Sequence, residues 1–270
     1  MPTQNDKTWQ GWESEFFSRI SDGDLSKTPS AQSVVSKVAD NRQILNLLLL
    51  IDVSGSMRGK RIAQVNYALE NIIKELRKRD DVNSVIKIGV MEFSDKAEWV
   101  TPQPLPLDDY PFMQIEAQPW ITCYGKAFDL LNEKLRREGF LDPLLGEYFA
   151  PLILFITDGE PVDNTEYPAA LERLQKNGWF RKSSKYAIAV GEESRNEEVC
   201  SVLTQFTGVR ENVRYADEGD ALCSLIEFIA VRGSEVQTSM VSSGGEGDPP
   251  DLTLFSKTDP SLFSSMFADR

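Results

Sequence analysis

Residues 47–57 read LLLLIDVSGSM, and this stretch decides the fold class. Its first half continues an aliphatic run that starts at Ile44, which is typical of a central strand buried on both faces of a parallel sheet. The run ends in Asp52, Ser54 and Ser56, a carboxylate and two hydroxyls on alternate residues. Because ligands gather at the carboxyl ends of strands in open α/β sheets, we expect a binding site in this loop.

Alternating strand and helix patterns extend outward from this stretch. Further apolar runs predict three more core strands, at Val85–Phe93, Pro151–Ile156 and Tyr186–Val190. Residues 97–101 follow a turn signal and are expected to form an antiparallel edge strand. Apolar residues recur at helical spacing in the segments 62–76, 127–135, 171–174, 199–203 and 222–229. The alternation predicts one α/β domain over residues 41–233, with a Rossmann-like, doubly wound, mostly parallel sheet, an antiparallel edge strand and helices on both faces.

The two ends of the chain differ from this domain. Residues 1–40 are expected to form an N-terminal arm with an aromatic amphipathic helix, which either packs on its own domain or docks a partner. Residues 234–251 are rich in Ser, Gly and acidic residues, which predicts a flexible linker. Residues 252–270 are expected to be a docking segment, with Leu262, Phe263, Met266 and Phe267 on one helix face. That face either folds back or binds a partner or a second copy.

Composition narrows the function classes. The chain has 42 acidic and 29 basic residues and a formal net charge of -13, which disfavours nucleic acid and anionic membranes as partners. It contains no histidine, so it lacks the commonest general base and the usual transition-metal ligand. The first residues do not resemble a secretory signal, and the three cysteines are widely spaced. We therefore expect a cytoplasmic protein whose chemistry rests on oxygen ligands.

Two further loops are predicted to join the first one. Asp158 ends a second buried strand and should arrive at the same edge of the sheet, and Thr122 lies just before the helix that begins near Tyr124. Carboxylate and hydroxyl oxygens suit Mg²⁺, which prefers hard ligands in octahedral geometry. Two carboxylates and three hydroxyls leave at least one coordination position open.

These motifs resemble the von Willebrand factor A domains, and within them the TerY-like branch. The resemblance rests on three motifs: DVSGSM at 52–57, Thr122 with Gly125 and Ala127, and DGEP at 158–161 followed by Asp163. One departure is Trp120–Ile121, which stands where the family usually has small glycines.

The resemblance implies a metal-ion-dependent adhesion site and a set of partners. In it Ser54, Ser56 and Thr122 bind Mg²⁺ directly, while Asp52 and Asp158 hold it directly or through water; Mn²⁺ and Ca²⁺ are alternatives. An Asp or Glu of a partner protein takes the open position. The TerY-like branch further implies a non-catalytic adaptor in a bacterial stress-response or phage-defence system, with a Ser/Thr kinase and a metal-dependent phosphatase. An accessory subunit of an AAA-ATPase or chelatase complex is the alternative.

Simpler readings of the same residues stay open at this point. Asp52, Ser56 and Thr122 could each cap a following helix instead of binding metal. A phosphohydrolase that uses Asp52 as nucleophile is the enzyme alternative, although Ser54 stands where such enzymes carry a second aspartate. Glu160 and Asp163 are expected to form a solvated acidic edge at the rim of the site, with an outer-sphere role at the metal as the alternative.

Overall fold

The computed structural model describes residues 42–78, 84–216 and 222. The predicted N-terminal arm, linker and C-terminal docking segment lie outside these residues. Of the last predicted helix, only Leu222 is described, and its side chain is buried in the core.

Seven strands and five α-helices are found in the described part of the chain. The strands are β1 (Gln43–Asp52), β2 (Ser84–Phe93), β3 (Ala97–Trp99), β4 (Leu105–Pro106), β5 (Leu152–Thr157), β6 (Ser184–Val190) and β7 (Val213–Ala216). The helices are α1 (Lys60–Arg77), α2 (Tyr124–Lys134), α3 (Tyr167–Gln175), α4 (Gly178–Lys182) and α5 (Glu197–Thr207). Short 3₁₀ turns lie at Gly55–Met57, Glu192–Ser194 and Arg210–Asn212.

The strands form one mostly parallel sheet in the order β3-β2-β1-β5-β6-β7. Strands β1, β2, β5, β6 and β7 pair in parallel, while β3 and β4 both pair antiparallel with β2. The predicted fold class, including its antiparallel edge strand, is therefore confirmed. The sequence patterns missed β4 and β7, because strands of two and four residues are too short to show a period.

Strand β1 is the centre of the fold because both its faces are covered. Its side chains alternate between two apolar clusters: Leu47 and Leu49 pack on the side of α1, whereas Leu48 and Leu50 pack on the side of α2, α3 and α5. Burial of each such side chain contributes about 1.5–3 kcal/mol relative to its exposure. The helices on both faces make the sheet doubly wound.

Aromatic side chains dominate the cluster beside α2 and connect the core to the sheet edge where β1 and β5 end. Phe155 lies at its middle, with ring centroids 5.0 Å from Phe93, 4.9 Å from Tyr124 and 5.1 Å from Phe206. Edge-to-face and stacked pairs of this kind add about 0.5–1.5 kcal/mol each beyond burial. This packing holds the first turn of α2, including Tyr124, at the carboxyl ends of the strands.

Parallel pairing brings the ends of two neighbouring strands together. Ile51 of β1 lies opposite Ile156 of β5, so Asp52 and Thr157 follow at the same edge of the sheet. No helix within residues 42–78 or 84–216 is long and apolar enough to cross a membrane.

Candidate metal centre

Asp52 is the most enclosed of the predicted metal ligands. Its side chain is fully buried, and both carboxylate oxygens accept hydrogen bonds: Oδ1 from the Ser54 backbone N–H (2.8 Å) and Oδ2 from Thr157 Oγ1 (2.7 Å). Burial raises the pKa of Asp52 to about 6, although the bonds from Thr157 and Ser54 oppose this effect. Both hydrogen-bond donors are neutral, so neither compensates the negative charge of the carboxylate. A cation nearby would do so and would stabilise the charged form.

A chain of hydrogen bonds links the two serines of the first loop to Asp158 on the other strand. The hydroxyls of Ser54 and Ser56 are 3.0 Å apart, and Ser56 Oγ donates to Asp158 Oδ1 at 2.8 Å. The 3₁₀ turn at Gly55–Met57 curls the loop so that these side chains converge. The structure thus brings four of the five predicted residues, all except Thr122, into one polar cluster.

Thr122 lies at the same sheet edge but joins the cluster less directly. Its side chain is buried, and its carbonyl accepts a hydrogen bond from the Val162 N–H at 2.9 Å. Two residues earlier, the Trp120 carbonyl accepts from the Gly55 N–H at 2.9 Å, which ties this segment to the serine loop. Its role as a direct metal ligand stays a prediction.

The helix-cap alternative for Ser56 and Thr122 is wrong. The N-cap residues of α1 and α2 are Gly59 and Cys123, and neither helix start receives a side-chain bond from its N-cap. Asp163 takes this role for α2, accepting from the backbone N–H groups of Tyr124 (3.1 Å) and Gly125 (2.7 Å).

The expectation that Asp163 forms a solvated edge is therefore wrong as well. Its carboxylate is half-buried and anchors the loop after β5 to the start of α2. A Cβ at Gly125 would lie 2.8 Å from Asp163 Oδ2, so a larger residue at that position would displace this carboxylate. Glu160, by contrast, is exposed as expected.

The cluster is supported by three residues that the sequence patterns did not single out, namely Thr157, Tyr124 and Arg61. Thr157 donates to Asp52, and the Tyr124 hydroxyl lies 3.1 Å from Thr157 Oγ1 and donates to the Gly159 carbonyl at 2.6 Å. Burial raises the pKa of Tyr124 well above its usual value, so Tyr124 stays a donor. Thr157 had a sequence signal, since it precedes Asp158 directly.

Arg61 had no such signal, because it meets the cluster across 97 positions of sequence. Its Nη1 donates to Asp158 Oδ2 at 2.7 Å and to the Ser56 carbonyl at 3.0 Å. The Asp158 side chain is fully buried, whereas that of Arg61 is 25% exposed. A partly exposed cation thus faces one of the two buried carboxylates.

The donor set fits a hard divalent cation. Two buried carboxylates and two hydroxyls converge, and Arg61 offsets one of the two negative charges. Oxygen donors of this kind suit Mg²⁺, which commonly keeps several water ligands and needs only one or two protein carboxylates. In residues 42–78 and 84–216, no group of three or more Asp, Glu, Cys or His side chains could hold a metal ion. A metal here would depend on the hydroxyls as well as the carboxylates.

The fold and the cluster together define a doubly wound α/β binding domain with a candidate cation site at the carboxyl edge of its sheet. Residues 47–160 match the family described as von Willebrand factor type A domain. The fold and this match together assign residues 47–160 to a von Willebrand factor type A domain, as the sequence resemblance implied. The TerY-like branch stays a prediction.

A curated relative from the rat, inter-alpha-trypsin inhibitor heavy chain H3, is 23% identical over 216 residues. The match covers 77% of this chain and 23% of the relative, so the chain spans less than a quarter of that protein's length.

Solved structures agree with the fold. One is proximal thread matrix protein 1 from the mussel byssus, in a structure with a zinc-occupied MIDAS motif. Its TM-score is 0.52 at 17% identity, and the match covers 76% of this chain and 52% of the mussel chain. The pilus adhesin SpaC from Lactobacillus rhamnosus GG, in its open conformation, has a TM-score of 0.54 at 12% identity, with coverages of 72% and 30%. At these identities the similarity supports the fold alone.

Proposed function

We propose that this chain is a non-catalytic protein-binding module that captures an acidic side chain of a partner through a divalent cation. Asp52, Ser54, Ser56, Thr122 and Asp158 hold the cation, and Mg²⁺ suits these oxygen donors best. The observation that carries the proposal is the hydrogen-bonded cluster that joins Asp52, both serines and Asp158 at one edge of the sheet.

The cation would supply a positive charge with an open coordination position, which an Asp or Glu carboxylate of the partner can fill. Domains of this type generally mediate protein binding, and proximal thread matrix protein 1 from the mussel byssus has been solved with zinc in its own MIDAS motif. Mn²⁺, Ca²⁺ and Zn²⁺ are therefore the metals to compare with Mg²⁺.

A hydrolytic role for Asp52 finds little support in the geometry. A nucleophilic carboxylate must reach the substrate, yet Asp52 is fully buried and both its oxygens accept hydrogen bonds. Ser54 occupies the position where a phosphohydrolase of this kind would carry its general acid, and the chain has no histidine to replace it. We therefore propose binding, not catalysis.

The cellular setting is proposed from the TerY-like resemblance alone. On this resemblance the chain is a cytoplasmic adaptor in a bacterial stress-response or phage-defence system, with a Ser/Thr kinase and a metal-dependent phosphatase as partners. The alternative is an accessory subunit of an AAA-ATPase or chelatase complex. Co-purification from the native cell distinguishes the two, because they differ in the enzyme that accompanies the chain.

The test combines metal titration with partner capture. Asp52→Asn should weaken Mg²⁺ binding at least about a hundredfold in calorimetry, since it removes one of two anionic charges that face the ion. The same variant and EDTA should each abolish partner capture from native lysate, and added Mg²⁺ should restore it after EDTA. Asp129→Asn is the matched control, because Asp129 lies on the surface in an ion pair with Arg173. Capture at full strength in EDTA would contradict the proposal.

A further inference from the structure

Three large apolar side chains are exposed beside the candidate metal centre. Trp120 is 55% exposed, Ile121 57% and Val162 57%. Trp120 and Ile121 immediately precede Thr122, and the Val162 N–H donates to the Thr122 carbonyl at 2.9 Å. Single exposed apolar residues are ordinary on protein surfaces, but several beside one polar site are typical of interaction surfaces.

The backbone that carries these side chains is held firmly in place. The Gln118 N–H donates to the Val53 carbonyl (2.6 Å), the Gly55 N–H donates to Trp120, and the Cys123 N–H donates to the Ser94 carbonyl (2.9 Å). The segment 118–123 is therefore attached to the loops after β1 and β2, and through Thr122 to the loop after β5. A surface ordered before binding loses little conformational entropy when a partner docks.

Charge indicates what kind of partner fits. The chain has a formal net charge of -13, so an acidic partner is repelled except where the cation and Arg61 offset the negative charge. A carboxylate on the cation supplies one directional contact and selects poorly among acidic partners. Apolar side chains next to it add contact area that is independent of charge, and so select by sequence.

We propose that Trp120, Ile121 and Val162, here called the apolar rim, select partner segments in which an Asp or Glu has a large aliphatic or aromatic residue within two positions. The spacing is short because the rim residues adjoin Thr122, one of the proposed metal ligands. A partner side chain that reaches the rim must therefore lie near, in sequence, the acidic side chain on the metal. The occupant is a segment of another protein, and the inference rests on the proposed function of the metal centre.

The test is a selection of random phage-displayed peptides on the purified full-length chain, with Mg²⁺ or with EDTA. Among the peptides recovered in Mg²⁺, the frequency of large apolar residues at each position within two of the acidic residue should be at least about twice that in the starting library. The triple variant Trp120→Ser, Ile121→Ser, Val162→Ser should keep its Mg²⁺ affinity and still recover acidic peptides, but without the apolar neighbour. Leu144→Ser with Leu145→Ser is the matched control, since these residues are 89% and 57% exposed, and it should behave as wild type.

The outcomes separate this inference from the function on which it rests. Acidic peptides without apolar enrichment, or enrichment that persists in the triple variant, would overturn the role of the apolar rim and leave the metal centre intact. A failure to recover any Mg²⁺-dependent acidic peptide would overturn the proposed function itself. If a synthetic peptide of residues 252–270 binds through Mg²⁺ and the rim, and deletion of that segment releases the site for library peptides, the occupant is this chain and not a partner.

Discussion

Arg61 competes with a divalent cation for Asp158, so replacing it with glutamine should tighten metal binding. In the structure its guanidinium donates to Asp158 Oδ2 at 2.7 Å, and this bond must weaken when the carboxylate turns to a metal ion. A hydrogen bond between charged groups contributes about 1.5–3 kcal/mol, and 1.4 kcal/mol corresponds to a factor of ten in affinity. We therefore expect Arg61→Gln to bind Mg²⁺ about ten to a hundred times more tightly.

The same change should destabilise the metal-free protein. Loss of Arg61 leaves a fully buried carboxylate without its cationic partner, which for a buried pair costs about 3–5 kcal/mol. Because the Arg61 side chain is 25% exposed and Ser56 still donates to the other oxygen, we expect a smaller loss, about 2–3 kcal/mol. The variant should melt at a lower temperature in EDTA and regain more stability in Mg²⁺ than wild type does.

Calorimetric titration with Mg²⁺ and thermal melts with and without EDTA measure both effects. Arg173→Gln is the matched control, because the Arg173–Asp129 pair is about half exposed on both sides and should contribute less than about 1 kcal/mol. An Mg²⁺ affinity that stays the same or falls in Arg61→Gln would refute the competition. A lower affinity would show instead that Arg61 orients Asp158 for the metal.

Two further predictions concern the surroundings of the site. Burial, with the nearby charges of Glu98 and Glu116, raises the pKa of Glu92 to about 7. The folded state therefore binds this proton more tightly than the unfolded state, and stability present below pH about 4.5 should be lost as pH rises through about 7. In denaturant unfolding, the loss of stability between pH 5 and pH 8 should be about 1–3 kcal/mol smaller in Glu92→Gln than in wild type. An equal loss in the two proteins would contradict the prediction. Asp163→Ala should lower the free energy of unfolding by about 0.5–2 kcal/mol in the same assay, because it leaves the first N–H groups of α2 without an acceptor. Asp163→Asn should retain most of the stability, since the amide oxygen can still accept these hydrogen bonds. A loss in Asp163→Asn as large as that in Asp163→Ala would show that the charge matters and not the capping.

The sequence alone determined the core of the fold and most of the candidate ligands. The four predicted core strands lie within two residues of β1, β2, β5 and β6 at each end, because a strand buried on both faces needs an unbroken apolar run, which is a local property. The same locality explains why Asp52, Ser54 and Ser56 stood out. A turn that follows such a strand arrives at the carboxyl edge of the sheet whatever the rest of the chain does.

Only the tertiary structure decided how the loops meet. Thr157 reaches Asp52 across 105 positions of sequence, and Arg61 reaches Asp158 across 97. Asp163, which follows β5 in the sequence, accepts hydrogen bonds from the first residues of α2, which precedes β5, although the sequence pattern suggested a solvated position. Such contacts depend on the order of strands in the sheet, since β5 pairs with β1 and not with β2. A polar side chain carries no local pattern that names its partner, so its role appears only when strands distant in sequence become neighbours in space.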